Sequence, residues 1–283
     1  MTSRRFERMV IGLPQEAGNQ SAIRAAADLA EVLHIELRGA FIADANLRSL
    51  MGLPGRELRM PDLQWQPIDL ERISRDLEHI VRFARSRFAE SVGNRDVKTS
   101  FEVVGGARIM GSLIRAGDIV SVIEPAHPGE SITLQFTGLL DAAQEAAAAI
   151  LLIPRRILRP SGPVMAVATS GDDPSIQAAL EIAAALKERL LVTIQTGAVP
   201  QAEILADAAR LGVEVQQIIG GSALVDMAAA ALFASRPKER LRVMSQRSGD
   251  VHRLLSSLHG IPHLVVEDRR AHLTAALEKA GSP

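Results

Sequence analysis

Two hydrophobic periods alternate along the chain. Short apolar runs bounded by turn-formers mark buried strands. They fall at residues 8–13, 36–43, 98–104, 118–123 and 150–154, and again at 164–168, 190–196, 213–219, 241–244 and 263–266. Between them, apolar residues recur three and four apart, the helical period. These segments are 22–33, 69–91, 108–115 and 134–149, then 175–187, 201–211, 223–234 and 251–258. Ser21 stands where the first helix would take its N-cap, ahead of a stripe of Ile23, Ala26, Ala27, Ala30 and Leu33. Strand and helix in such alternation predict a parallel sheet covered on both faces, with right-handed crossovers.

The pattern occurs twice. IRAAADLAEVLHIELRGAFIA, from Ile23, aligns without a gap on IQAALEIAAALKERLLVTIQT, from Ile176, at a shift of 153 positions. Two further echoes support a duplication. Val103-Val104-Gly105-Gly106 corresponds to Ile218-Ile219-Gly220-Gly221, and Ile150–Ile153 to His263–Val266. The expected organisation is an α/β chain of two tandem five-stranded parallel-sheet domains, residues 1–158 and 159–270, followed by a tail at 271–283. The two closing strands are short and apolar, and an exposed apolar edge invites aggregation, so they are expected to meet each other.

One stretch has no counterpart. Residues 45–67 hold three prolines, two glycines, Met51, Met60 and Trp65, the only tryptophan. Proline removes amide donors, which predicts a loop or flap with short helical turns. Its apolar content predicts a cap folded over the strand ends of the first half, with Trp65 packed down. The next helix carries Leu70, Ile73, Leu77, Ile80, Val81, Ala84 and Phe88 on one face. Five arginines stand against five acids on the other, an ion-paired solvent face.

Composition narrows the function classes. The net charge is −1, so no overall field attracts nucleic acid or an anionic membrane. There is no tyrosine and no cysteine, which argues against base stacking and excludes thiol chemistry and disulfides. The longest uncharged apolar run, 146–153, is too short to span a bilayer. The apolar stretch after the basic residues 2–8 stops at Pro14, too soon for a signal peptide. A cytoplasmic protein is expected.

In an open parallel sheet, ligands bind beyond the carboxyl ends of the strands where the strand order reverses. The loops at stake are 14–20 and 124–133 in the first half, 169–174 and 245–250 in the second. Segment 242–267, RVMSQRSGDVHRLLSSLHGIPHLVVE, is similar to the strand, glycine loop, helix and last strand of the universal stress protein family. With the duplicated units, the chain resembles a tandem member of that family over nearly its whole length. The resemblance implies a Rossmann-like α/β fold, an intramolecular pseudo-dimer formed through the last strands, and a stress-linked role. A homodimer beyond that is left open.

Nucleotide-binding members carry an Asp ending the first strand and a G-x2-G-x9-G-[S/T] loop after the fourth. Here Leu13 or Pro14, and Ala168 or Thr169, occupy the Asp position. Ser245, Ser248 and Ser257 replace the glycines in the second half, with one residue missing from the long spacing. In the first half Pro125 or Ala126 replaces the first glycine, and Gly129 and Gly138 stand one residue too close. Serine does not readily reach positive φ. Asp172 and Asp173 reach the site only if their loop folds back. The reading is therefore a non-enzymatic stress-type protein with a degenerate nucleotide site and no cofactor. It would bind a protein partner or small ligand, and neither nucleic acid nor membrane. The alternative is an ATP- or AMP-binding protein, with slow hydrolysis, whose second half uses Thr169, Asp172, Ser245, Arg247, Ser248 and Gly249. Arg247 would then pair with a phosphate. His252, His259 and His263 cross a helix end and a strand, so no single face gathers them as metal ligands, and surface or partly packed histidines are expected there.

Overall fold

A computed structural model of the chain describes residues 6–13, 20–43, 56–59, 63–105, 112–127, 129–130, 133–196, 200–218, 239–246, 251–255 and 258–267. The first half runs β1 (Arg8–Leu13), α1 (Gln20–Leu33), β2 (Glu36–Ile42), a hairpin of β3 (Arg56–Arg59) and β4 (Gln64–Pro67), α2 (Leu70–Val92), β5 (Thr99–Val104), β6 (Asp118–Ile123), α3 (Leu134–Ala146) and β7 (Ala149–Ile153). The second runs β8 (Val164–Ala168), α4 (Pro174–Leu186), β9 (Leu190–Ile194), α5 (Ala202–Leu211), β10 (Val215–Ile218), β11 (Leu241–Ser245), α6 (Val251–Leu255) and β12 (His263–Val266). The helix expected at 223–234 and the tail at 271–283 lie outside the described residues, as does half of 108–115.

Ten strands form one sheet in the order β10-β9-β8-β11-β12-β7-β6-β1-β2-β5. Within each half all neighbours are parallel, and each half repeats the order third, second, first, fourth, fifth. The halves join through β7 and β12, which pair antiparallel with His263 opposite Leu152 and Val266 opposite Ala149. The two apolar edges thus cover each other. This is the α/β architecture expected, drawn into a single continuous sheet.

One face of the sheet carries α1, α2, α4 and α5 over a core that crosses from one half into the other. Ala22, Ala26, Ala27 and Ala30 of α1, and Ala178, Ala179 and Ala183 of α4, are all fully buried. Their small side chains bring helix backbones close to the strands. The other face carries α3 and α6 on Val10, Val120, Leu152 and Val265. Gly12 belongs to this packing, since a Cβ there would stand 2.4 Å from Leu139 Cδ2.

Four expectations need correction. Helix α1 starts at Gln20, so Ser21 lies inside it and donates its hydroxyl to the Arg155 carbonyl (2.9 Å), tying the helix to the connection between the halves. Arg56–Arg59 and Gln64–Pro67 pair as a hairpin, with Trp65 opposite Leu58, and Trp65 is 63% exposed; residues 45–55 and 60–62 of the expected cap lie outside the described residues. The two strands form a sheet of their own, apart from the main one, and Trp65 is not packed down. On α2 only Phe88, Ser91 and Val92 are buried, and Leu70 and Ile80 of the expected core face are exposed. The helix outruns the surface available to cover it. His263 is buried, not superficial.

Candidate functional site

In the second half the strand order reverses between β8 and β11, which are parallel neighbours. β8 ends at Ala168, and the chain turns through Thr169–Asp172 into α4. Asp173 caps that helix: its Oδ1 accepts the Ser175 N–H at 2.9 Å, and Pro174 takes the first helical position, where a missing N–H costs nothing. Its Oδ2 accepts the Thr169 N–H and the Thr169 hydroxyl, both at 2.9 Å. The Ser245 hydroxyl, at the end of β11, donates to the same oxygen at 3.0 Å. The carboxylate is 3% exposed. Burial pushes its pKa up, but hydrogen bonds from Thr169 and Ser175 outweigh that and hold it below the ordinary carboxylate value.

Of the residues expected to form a nucleotide site, Thr169 and Ser245 therefore come together, on Asp173. Asp172 points elsewhere. It is exposed and accepts the Ser170 hydroxyl at 2.6 Å. Arg247, Ser248 and Gly249 lie outside the described residues. The loop does fold back, and the residue it delivers is Asp173. An Asp-Pro-Ser start to an apolar-periodic helix is the signal that singles it out.

The first half is built differently at the corresponding point. Gln20 matches Asp173 at the repeat shift of 153, and β6 ends on Ile123 where β11 ends on Ser245. The loop after β6 is closed by acids. Glu130 accepts the Ala126 N–H at 2.5 Å and stands 3.8 Å from Arg155. Glu124 accepts the Arg155 N–H at 3.1 Å, and its own N–H donates to the Ile153 carbonyl at 2.8 Å. Thr133 caps α3, accepting the Phe136 N–H at 3.3 Å. In this loop the Ala126 N–H is thus held by a carboxylate of the chain itself, and the Glu130 and Thr133 N–H groups donate to the carbonyls of His127 and Glu130. Among the described residues no group of three or more His, Asp or Glu is placed to hold a metal ion, and no helix is long and apolar enough to cross a membrane.

No protein-family model and no curated protein matches the sequence. Solved structures do match. A universal stress protein from Archaeoglobus fulgidus DSM 4304 superposes with a TM-score of 0.55 at 13% identity, covering 91% of this chain and 96% of that one. A functionally unknown protein from Pseudomonas aeruginosa PAO1 gives 0.49 at 15% identity, over 98% and 99% of the two chains. A universal stress protein in complex with cAMP gives 0.31 at 14% identity, covering 53% of this chain and 97% of that one. The chain has the universal stress protein-like, Rossmann-like α/β fold.

Proposed function

We propose that this is a non-enzymatic protein of the universal stress type with a stress-linked binding or regulatory role. It is built from two fused units, residues 1–158 and 159–270, whose nucleotide sites are closed. The observation that carries this reading is the Asp173 carboxylate, buried at the switch point of the second half with four donors on its two oxygens. Those groups would otherwise receive a ligand's phosphate or ribose. A phosphate entering there meets a fixed negative charge, and like charges 4 Å apart repel by about 4 kcal/mol at the effective dielectric of a protein surface. Glu124 and Glu130 present the same obstacle in the first half.

Native mass spectrometry of freshly purified protein tests this. The expected spectrum holds no ATP or AMP at stoichiometric level. A retained nucleotide, lost in Arg247→Ala, would establish instead an ATP- or AMP-binding protein that uses the loop after β11.

A further inference from the structure

Helix α2 carries more apolar surface than its own fold uses. Val81, Ala84, Phe88 and Val92 pack onto the core beside α1. A second stripe runs next to them: Ile73, Asp76, Ile80, Phe83, Arg87 and Glu90 recur at alternating steps of three and four, the spacing of a helix–helix seam. The two apolar residues at its centre face solvent, Ile80 at 36% and Phe83 at 48% exposure. Among the described residues, three of the nine large exposed apolar side chains, Leu70, Ile80 and Phe83, belong to α2.

We propose that the stripe is the interface through which a second copy of the chain binds, α2 against α2, antiparallel about a two-fold axis. The charges argue for that occupant and that direction. The start of the helix carries Asp69, Glu71, Asp76 and Glu78 against Arg72 and Arg75; its end carries Arg82, Arg85 and Arg87 against Glu90. An antiparallel pair lays the acidic end on the basic end, whereas a parallel pair would set like on like. With the axis midway between Ile80 and Phe83, Ile80 packs on the partner's Phe83, and Asp76 faces the partner's Arg87. The same contacts recur on the other side of the axis, which is what a self-complementary interface requires. Arg87 already lies over the Phe83 ring, 5.1 Å from its centroid, so the partner's Asp76 would meet a cation held by that ring. The helix spans about 35 Å at 1.5 Å per residue, long enough for both contacts to form twice.

Sedimentation equilibrium of the full chain over a range of concentrations tests the interface. A reversible dimer is expected. Phe83→Glu and Asp76→Arg should each weaken it at least tenfold, and combining Asp76→Arg with Arg87→Asp should restore it towards the parent affinity. Circular dichroism should be unchanged, because Asp76 and Phe83 are exposed in the single chain. A chain that stays monomeric at every concentration would overturn the proposal. So would a dimer indifferent to both single substitutions, or a double variant as weak as Asp76→Arg alone.

Discussion

Ser245 and Asp173, 72 residues apart in sequence, are joined by a 3.0 Å hydrogen bond at the point where the second half reverses its strand order. The bond fastens the end of β11 to the head of α4. It lies at the position where this architecture usually receives a ligand.

The joint should carry measurable stability. Asp173→Ala removes a helix cap and leaves the Thr169 N–H without its acceptor, which together should cost about 2–4 kcal/mol in urea denaturation. Asp173→Asn, which keeps a capping oxygen, should lose less. Because the folded carboxyl sits below its ordinary value, its contribution is present at neutral pH. It fades only as the solution is acidified through the folded value.

His263 gives the chain a second, milder acid dependence. It is 1% exposed on β12, and among the described residues neither ring nitrogen has a hydrogen-bond partner. Burial, then the charges of Arg242 and His259, lower its pKa from 6.5 to about 3. The Arg242 guanidinium itself donates to Glu239 at 2.7 Å and 2.5 Å. The unfolded chain takes up a proton near pH 6.5 and the folded chain does not. This contribution is therefore complete above that pH and lost progressively as pH falls towards the folded value. Between pH 7 and pH 5 it amounts to about 2 kcal/mol. Denaturation midpoints at those two pH values should differ less in His263→Leu than in the parent.

The join between the halves should not tolerate charge. Leu152 and Val265 are fully buried on paired strands of the same sheet. Leu152→Lys or Val265→Lys buries an unpaired ammonium and should cost at least about 3 kcal/mol, with lower solubility as the apolar edges open. Thermal denaturation and the soluble fraction on expression report the two effects.

Trp65, as the only tryptophan, reports on the hairpin without ambiguity. At 63% exposure its emission should be that of a solvated indole, red-shifted and readily quenched by acrylamide. A blue-shifted, protected emission would place the ring in a packed setting and contradict the hairpin geometry.

The inner strands of the main sheet were legible because strands buried on both faces read as nearly unbroken apolar runs, whereas the edge strands β5 and β10 are partly exposed and mixed in sequence. Val164–Ala168 and Asp118–Ile123 match their expected limits residue for residue. The β3–β4 hairpin was not legible. Arg-Glu-Leu-Arg and Gln-Trp-Gln-Pro have little strand character, and they pair because each is the other's neighbour. On α2, periodicity identified the apolar face. It could not show how far the neighbouring surface extends, so Leu70 and Ile80 were expected inside. At the candidate site, Asp172 and Asp173 differ only in the backbone that follows. The helix start at Pro174 turns one carboxylate inward and leaves the other exposed. The run Ile-Pro-His-Leu-Val-Val that leads into and forms β12 already placed a histidine among apolar neighbours, a position they predict to be buried.

Calorimetric titration with ATP and with AMP tests the closed-site account most directly. With Thr169, Ser175 and Ser245 donating to Asp173 at the second switch point and the Ala126 N–H of the first-half loop donating to Glu130, no affinity tighter than about millimolar is expected from either ligand. Micromolar binding that disappears in Arg247→Ala would contradict the account and place an open nucleotide site after β11.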